Sequence, residues 1–166
     1  MRVIICDDAR GGSDAAVVTD WVEGFEELFR STYPSMVRLA YLMLGSRSEA
    51  EEVVQEAALN VGRRASDDPH AYFRRSVVNG SIAVLRRRAT AERHQPDPPP
   101  LEQPSYLVEL RDCLLTLPER QRAAIALRYL DGLPDREIAQ ILECREGTVR
   151  SLISRGLATL RNEVIL

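Results

Sequence analysis

The chain contains no lysine: all 22 of its basic residues are arginine. Arginine favours planar, two-pronged contacts to phosphate, carboxylate and base edges, although codon usage alone would produce the same bias. Cysteine is also scarce. Cys6, Cys113 and Cys144 are far apart, odd in number and without paired ligand spacing. That pattern excludes a disulfide framework and a zinc site and leaves three reduced thiols. The only histidines, His70 and His94, form no nucleophile or metal arrangement with the cysteines, so we expect no catalytic residue, no metal and no cofactor, and a protein that is not an enzyme. Long apolar runs are missing as well. Nothing approaches the roughly 20 residues that cross a bilayer, and Met1 to Arg10 lacks the basic start and apolar core of a signal peptide. The expectation is a soluble, cytoplasmic protein without membrane insertion. Strand patterns are nearly absent, "RVIIC" being the one candidate, so the fold class is all-α.

What is present is helical periodicity, interrupted once. Residues 95 to 104, "QPDPPPLEQP", hold five prolines and read as a stiff, extended connector. Cutting the chain there gives an extension at 1–24, a first helical unit at 25–94, a linker at 95–105 and a second helical unit at 106–166. The net charge of -3 is unevenly spread. Residues 26–95 carry eleven arginines against nine acids and 118–166 eight against seven, whereas 1–25 and 96–117 are acidic. In the first unit, "FEELFRSTYPSMVRLAYLMLG" runs apolar at helical spacing up to Gly45, a usual helix terminator. "SEAEEVVQEAALNVGRR" opens with Ser48 three residues before Glu51, the spacing of a capping box. A third helix begins near Pro69 and continues through "AYFRRSVVNGSIAVLRRR". The second unit reads as "YLVELRDCLLTL", then "PERQRAAIALRYLDG" with Pro118 in the first turn, then a short helix "DREIAQIL" capped by Asp135, then "EGTVRSLISRGLATLR".

Placed at 100° per residue, the last helix divides sharply. Val149, Leu152, Ile153, Gly156, Leu157, Leu160 and Val164 form a core arc, with Gly156 allowing close approach of another helix. Opposite lie Gly147, Thr148, Arg150, Ser151, Ser154, Arg155 and Ala158. That arc contains no acid, unlike an ordinary solvated face, and its small residues let the helix enter a major groove, where Arg forks onto guanine. With the preceding short helix and turn it makes a helix-turn-helix pattern. In "SEAEEVVQEAALNV", Ala50, Val54, Ala57 and Val61 face inward. The outer arc is Glu49, Glu51, Glu52, Gln55, Glu56 and Leu59, with Leu59 at the centre like the apolar middle of a protein interface. On the third helix Tyr72, Arg75, Ser76, Asn79, Arg86 and Arg87 share an arc. Arginine, amide and aromatic together suit single-stranded or melted nucleic acid. The closing Arg86-Arg87-Arg88 run also complements the helix dipole.

A unit for unwound DNA, a proline-rich connector and a unit for duplex DNA resemble the layout of a bacterial sigma factor of the extracytoplasmic-function class, over residues 25 to 164. "SEAEEVVQEA" is similar to the region 2.2 pattern of that family, with Glu52 where Asp is common. "AYFRRSVVNGSIAVLRRR" is similar to the helix that reads the minus-10 element, with Tyr72 where Trp is frequent. "LPERQRAAIALRYLDGLPDREIAQILECREGTVRSLISRGLATLR" resembles region 4, with Arg145 where a capping Ser is common. The resemblance implies an alternative sigma factor that binds core RNA polymerase and directs it to specific promoters. Glu52, Gln55, Glu56 and Leu59 would meet the polymerase β′ clamp helices, and the β flap would be a further polymerase contact. Tyr72, Arg75, Asn79, Arg86 and Arg87 would lie at the minus-10 strand, and Thr148, Arg150, Ser151, Ser154 and Arg155 at the minus-35 duplex. An anti-sigma factor is a further implied partner. Two other readings use the same residues: a stand-alone helix-turn-helix regulator dimerising on paired half-sites, and a sigma-like adaptor that captures an anti-sigma factor without DNA.

Overall fold

The computed structural model describes residues 14–61, 68–90 and 104–164, and its regular structure there is entirely helical. Its helices are α1 (Asp14–Leu44), α2 (Arg47–Val61), α3 (Pro69–Thr90), α4 (Ser105–Leu115), α5 (Glu119–Tyr129), α6 (Asp135–Ile141) and α7 (Glu146–Val164). Helix α1 starts at Asp14, so the boundary drawn between residues 24 and 25 falls inside it. Helix growth is cooperative, and one interior glycine, Gly24, costs only about 1 kcal/mol against continuing neighbours. Its far end obeys the sequence. Gly45 has φ +79° and its N–H returns to Tyr41 O at 2.8 Å, closing the helix in a conformation other residues resist. The "RVIIC" segment and the proline-rich connector lie outside the described residues.

Three expected caps are placed differently. Helix α2 begins at Arg47, so Ser46 rather than Ser48 occupies the cap, its Oγ accepting from Glu49 N at 3.4 Å. Glu51 reaches back to the Arg47 side chain one turn earlier, at 2.9 Å, rather than to a capping N–H. Pro118 and Pro134 sit at the cap positions of α5 and α6. Pro118 is therefore one residue before the first turn, and Asp135 is inside the first turn of α6 with its carboxylate on Arg128 and Arg150. A proline cap supplies no side-chain acceptor but its fixed φ presets the chain for entry into the helix.

Helix α1 packs on α2 and α3, and α5 packs on α6 and α7. In the first group Leu39, Leu42, Met43, Val54, Val61 and Val77 are fully buried; in the second, Leu114, Leu117, Leu127, Ile138 and Val149. Gly156 does what its position suggests: a Cβ there would stand 2.6 Å from Ile125 Cδ1, so α7 and α5 meet with nothing between them.

The two groups are also packed against each other, which the sequence did not announce. Helix α1 contacts α4 and α5, and α3 contacts α5 and α6. Along this seam Arg111 is 5% exposed, donates to Tyr41 Oη at 2.9 Å and lies over the Tyr41 ring at 5.6 Å from its centre. Arg122 is buried too, and donates to Met43 O at the end of α1 and to Leu115 O and Leu117 O at 3.2 and 2.8 Å. Burial lowers its pKa, and the nearby Arg88 charge adds to this while Glu119 opposes it. The guanidinium remains charged and bonded to carbonyls left unpaired by the helix end. Gly45 completes the seam, since a Cβ there would meet Leu115 Cδ1 at 2.8 Å.

Candidate nucleic-acid interface

Helix α7 presents its predicted face openly. Thr148, Arg150, Ser151, Ser154 and Arg155 are all exposed, while Val149, Leu152 and Gly156 are buried on the other side. The arrangement at its start comes from the turn. Glu143 adopts φ +49°, and Cys144 N donates to Ala139 O at 2.9 Å. That pair of features is the glycine-type helix stop, here with a glutamate in the left-handed position. Asp135 on α6 then takes Arg128 on one side and stands 3.8 Å from Arg150 on the other, biasing Arg150 toward the start of α7. Ser151 Oγ donates to Gly147 O at 2.9 Å, so its lone pairs face outward as acceptors. Arg155 folds back on Ser151 O at 3.3 Å and is exposed along its length.

Around the same turn, Arg75, Arg136, Gln140, Glu143, Arg145 and Glu146 line an open hollow of about 740 Å³. Neither Arg136 nor Arg145 was among the DNA-contacting residues expected from the sequence, where Arg145 stood out only as replacing a capping Ser. Their signal was their place at the starts of α6 and α7, beside the N-terminal end of the acid-free arc.

Helix α3 is different. Tyr72 is half-buried and packed against the core, whereas Arg75, Asn79, Arg86 and Arg87 are exposed. Arg75 reaches Glu143 at 3.1 Å and Arg86 stands 3.8 Å from Glu119, both acids belonging to the second group of helices. Asn79 and Arg86 share a cleft of about 440 Å³ whose far wall is Arg120, Leu142 and Glu143. Arg74 is paired with Asp131 at 2.9 Å. Burial raises the Asp131 pKa, with Arg74 and Arg38 pulling it back down. Arg88, last of the arginine run, turns inward to Glu49 and to Leu44 O at 2.8 Å, tying α3 to the end of α1.

On α2, Glu52, Gln55 and Glu56 are exposed and Leu59 is 53% exposed at their centre. Glu49 belongs to the Arg88 pair and Glu51 to the Arg47 pair, so the open part of the stripe is narrower than the helical arc suggested. Cys113 and Cys144 are half-buried thiols without a disulfide. Among the described residues no group of His, Cys, Asp and Glu is placed to hold a metal ion, and no helix is long and apolar enough to cross a membrane.

The arrangement has known counterparts. Residues 28–91 match the family model for sigma-70 region 2, and residues 107–160 that for sigma-70 region 4. The extracytoplasmic-function (ECF) RNA polymerase sigma factor SigM of Mycobacterium tuberculosis is 30% identical over 162 residues, spanning 89% of this chain and 83% of the relative. ECF sigma factor SigE of Mycolicibacterium smegmatis is 31% identical over 172 residues, and the match takes in 93% of this chain but 65% of the longer relative. The fold is shared with the sigma factor RpoE of Bartonella quintana, whose structure is a complex with the anti-sigma factor NepR. There the TM-score is 0.72 at 19% identity, over 87% of this chain and 98% of that one. Two helical units, an open helix-turn-helix arc, both sigma-70 regions in order and this level of identity to SigM together place the chain in the ECF family of sigma-70 transcription initiation factors.

Proposed function

We propose that the chain recruits core RNA polymerase to a subset of promoters, acting as an initiation factor in the cytoplasm while the polymerase supplies the catalysis. Residues 25–94 and 106–166 would be its functional units, tethered by 95–105. The observation that carries this is the pairing of two exposed faces of opposite chemistry. The α7 arc is basic and hydroxyl-rich, suited to duplex DNA, and the α2 stripe is acidic around Leu59, suited to a basic protein surface. A stand-alone DNA-binding regulator has no use for the second.

In this reading Thr148, Arg150, Ser151, Ser154 and Arg155 enter the minus-35 major groove. Glu52, Gln55, Glu56 and Leu59 meet the β′ clamp helices, with the β flap a second contact on the other unit. Tyr72, Arg75, Asn79, Arg86 and Arg87 handle the melted minus-10 strand. An anti-sigma factor is a natural further partner, as for the Bartonella quintana relative. The test is run-off transcription with core polymerase on genomic fragments, run beside a Glu52→Arg, Glu56→Arg variant. Promoter-specific transcripts are expected from the parent. The charge-reversed variant should lose core polymerase in a pull-down with an unchanged circular dichroism spectrum, because both side chains are exposed. Transcripts absent from the parent, or full polymerase retention by the variant, would overturn the reading or move the interface.

A further inference from the structure

We propose that Asp135, clamped by Arg128, is a positioning residue for Arg150, and that it sets how strictly the α7 arc discriminates one duplex sequence from another. The inference rests on the duplex contact proposed above for α7 and names the group that aims it. The Asp135 carboxylate uses both oxygens: Oδ1 takes the Arg128 guanidinium, and Oδ2 stands 3.8 Å from Arg150 Nη1. Among the described residues Arg150 has no other ion pair or hydrogen bond. A guanidinium carries five N–H donors in one plane. With Nη1 turned to Asp135, the edge formed by Nε and Nη2 is left for the fork onto guanine O6 and N7.

The carboxylate is itself fixed from the core. Leu133 is buried, and its N–H donates to Leu127 O at 3.1 Å across a turn in which Gly132 takes φ +67°. Leu133 O accepts from Arg128 at 2.8 Å, and Arg128 holds Asp135. The Asp135 side chain is 18% exposed against 67% for Arg150, so the acid is the anchored partner and the arginine the movable one. A pair of this kind adds little to stability, because water screens it and holding a long side chain in one geometry costs entropy. In a major groove that water is displaced, the effective dielectric falls and the same charges attract several times more strongly. Asp135 therefore counts when Arg150 is on its base. Its negative charge also opposes phosphates near that end of α7, so it lowers general affinity while sharpening base choice. An Arg150 without it would grip any phosphate within reach, a contact that carries no sequence information.

Asp135→Asn tests this directly, since it keeps the side-chain shape and an oxygen for Arg128 while removing the charge. It is compared with Arg150→Ala, with the double variant, and with Glu137→Gln, which removes one charge from an exposed position on the same helix. Each full-length protein is incubated at fixed salt with a pool of short duplexes randomised over one helical turn, and the bound duplexes are sequenced. The parent is expected to enrich a motif containing a guanine whose preference falls about tenfold in Arg150→Ala, at that position alone. Asp135→Asn should lose roughly threefold at the same position, a part of the whole contact, while keeping the others. It should also bind an unselected duplex at least as tightly as the parent does. The double variant should discriminate no worse than Arg150→Ala, because Asp135 acts only through Arg150, and Glu137→Gln should keep the parental preference. Damage to the fold would flatten every position, so a loss confined to one marks positioning.

An unchanged preference at that guanine in Asp135→Asn, an equal loss at every position, the same loss in Glu137→Gln, or a further loss in the double variant overturns the inference and leaves the duplex reading of α7 standing. A parent that enriches no duplex overturns that reading, and the inference with it.

Discussion

Helices α7 and α3 carry nearly the same chemistry, arginines beside small polar residues on one exposed arc, yet on α7 the arc's ion pair stays within its own unit and on α3 Arg75 and Arg86 stand beside acids of the other unit. On α7 the nearest acid to Arg150 is Asp135 of its own unit, 3.8 Å away and mostly buried, which positions the side chain without covering it. On α3 the acids facing Arg75 and Arg86 come from residues 68 and 33 positions further along the chain. Equal composition therefore gives an arc paired locally in one helix and an arc paired with distant acids, but still exposed, in the other. What separates them is the seam built by Tyr41, Arg111 and Arg122.

The comparison breaks most completely if the seam is removed. Arg122→Ala deprives Met43 O, Leu115 O and Leu117 O of their shared donor, and a buried acceptor left without its partner costs about 1–3 kcal/mol. Calorimetry should show a clearly lower unfolding midpoint. A midpoint equal to that of the parent would mean that the seam adds nothing to stability and that the two units fold without reference to each other.

Removing the open arc tests the other side. Arg150→Ala or Arg155→Ala should each cost about 1–3 kcal/mol in binding to a minus-35 duplex, with core polymerase binding intact. Arg75→Ala should leave that duplex affinity unchanged, because Arg75 lies on α3 and not on the α7 arc. Equal affinities for all three variants in a footprint at matched salt would take α7 out of the recognition role.

The α3 arc is tested on a promoter as it opens. Tyr72→Ala with Asn79→Ala should depress permanganate reactivity of minus-10 thymines far more than initial promoter binding, since a stacked base is worth about 1–3 kcal/mol. A promoter carrying a pre-melted bubble should restore part of the loss. Undiminished reactivity on duplex promoter would leave Tyr72 as a core aromatic, consistent with its half-buried packing.

The smallest effect is the most discriminating. Glu143→Gly should stabilise the turn before α7 by no more than about 1 kcal/mol, because glycine takes a positive φ without the steric cost. Thermal melts should rise slightly or hold, and minus-35 duplex affinity should not fall. A large drop in either would show that the glutamate side chain supports the turn itself.

The sequence by itself determined the helices, the class and the faces of α2 and α7. Those depend on interactions within a few residues: apolar spacing at 3.6 per turn, Gly45 as a stop, Gly156 as a contact point with α5, and an arc from Gly147 to Ala158 without an acid. Local alternatives one or two residues apart were decided only on folding, as when Ser46 capped α2 instead of Ser48 and Asp135 joined Arg128 instead of capping α6. The tertiary structure alone decided the fate of the arginines. No helical pattern in the sequence marks Arg111 or Arg122, yet they are buried because Tyr41 Oη and the carbonyls at the end of α1 offer partners about 70 and 80 residues away in sequence. Arginine is almost never fully buried unless paired, and Arg122 is held by three carbonyls although its Nε finds no partner. Whether a match exists depends on where a distant helix ends, and no local pattern around Arg111, Arg122 or Arg75 carries that information.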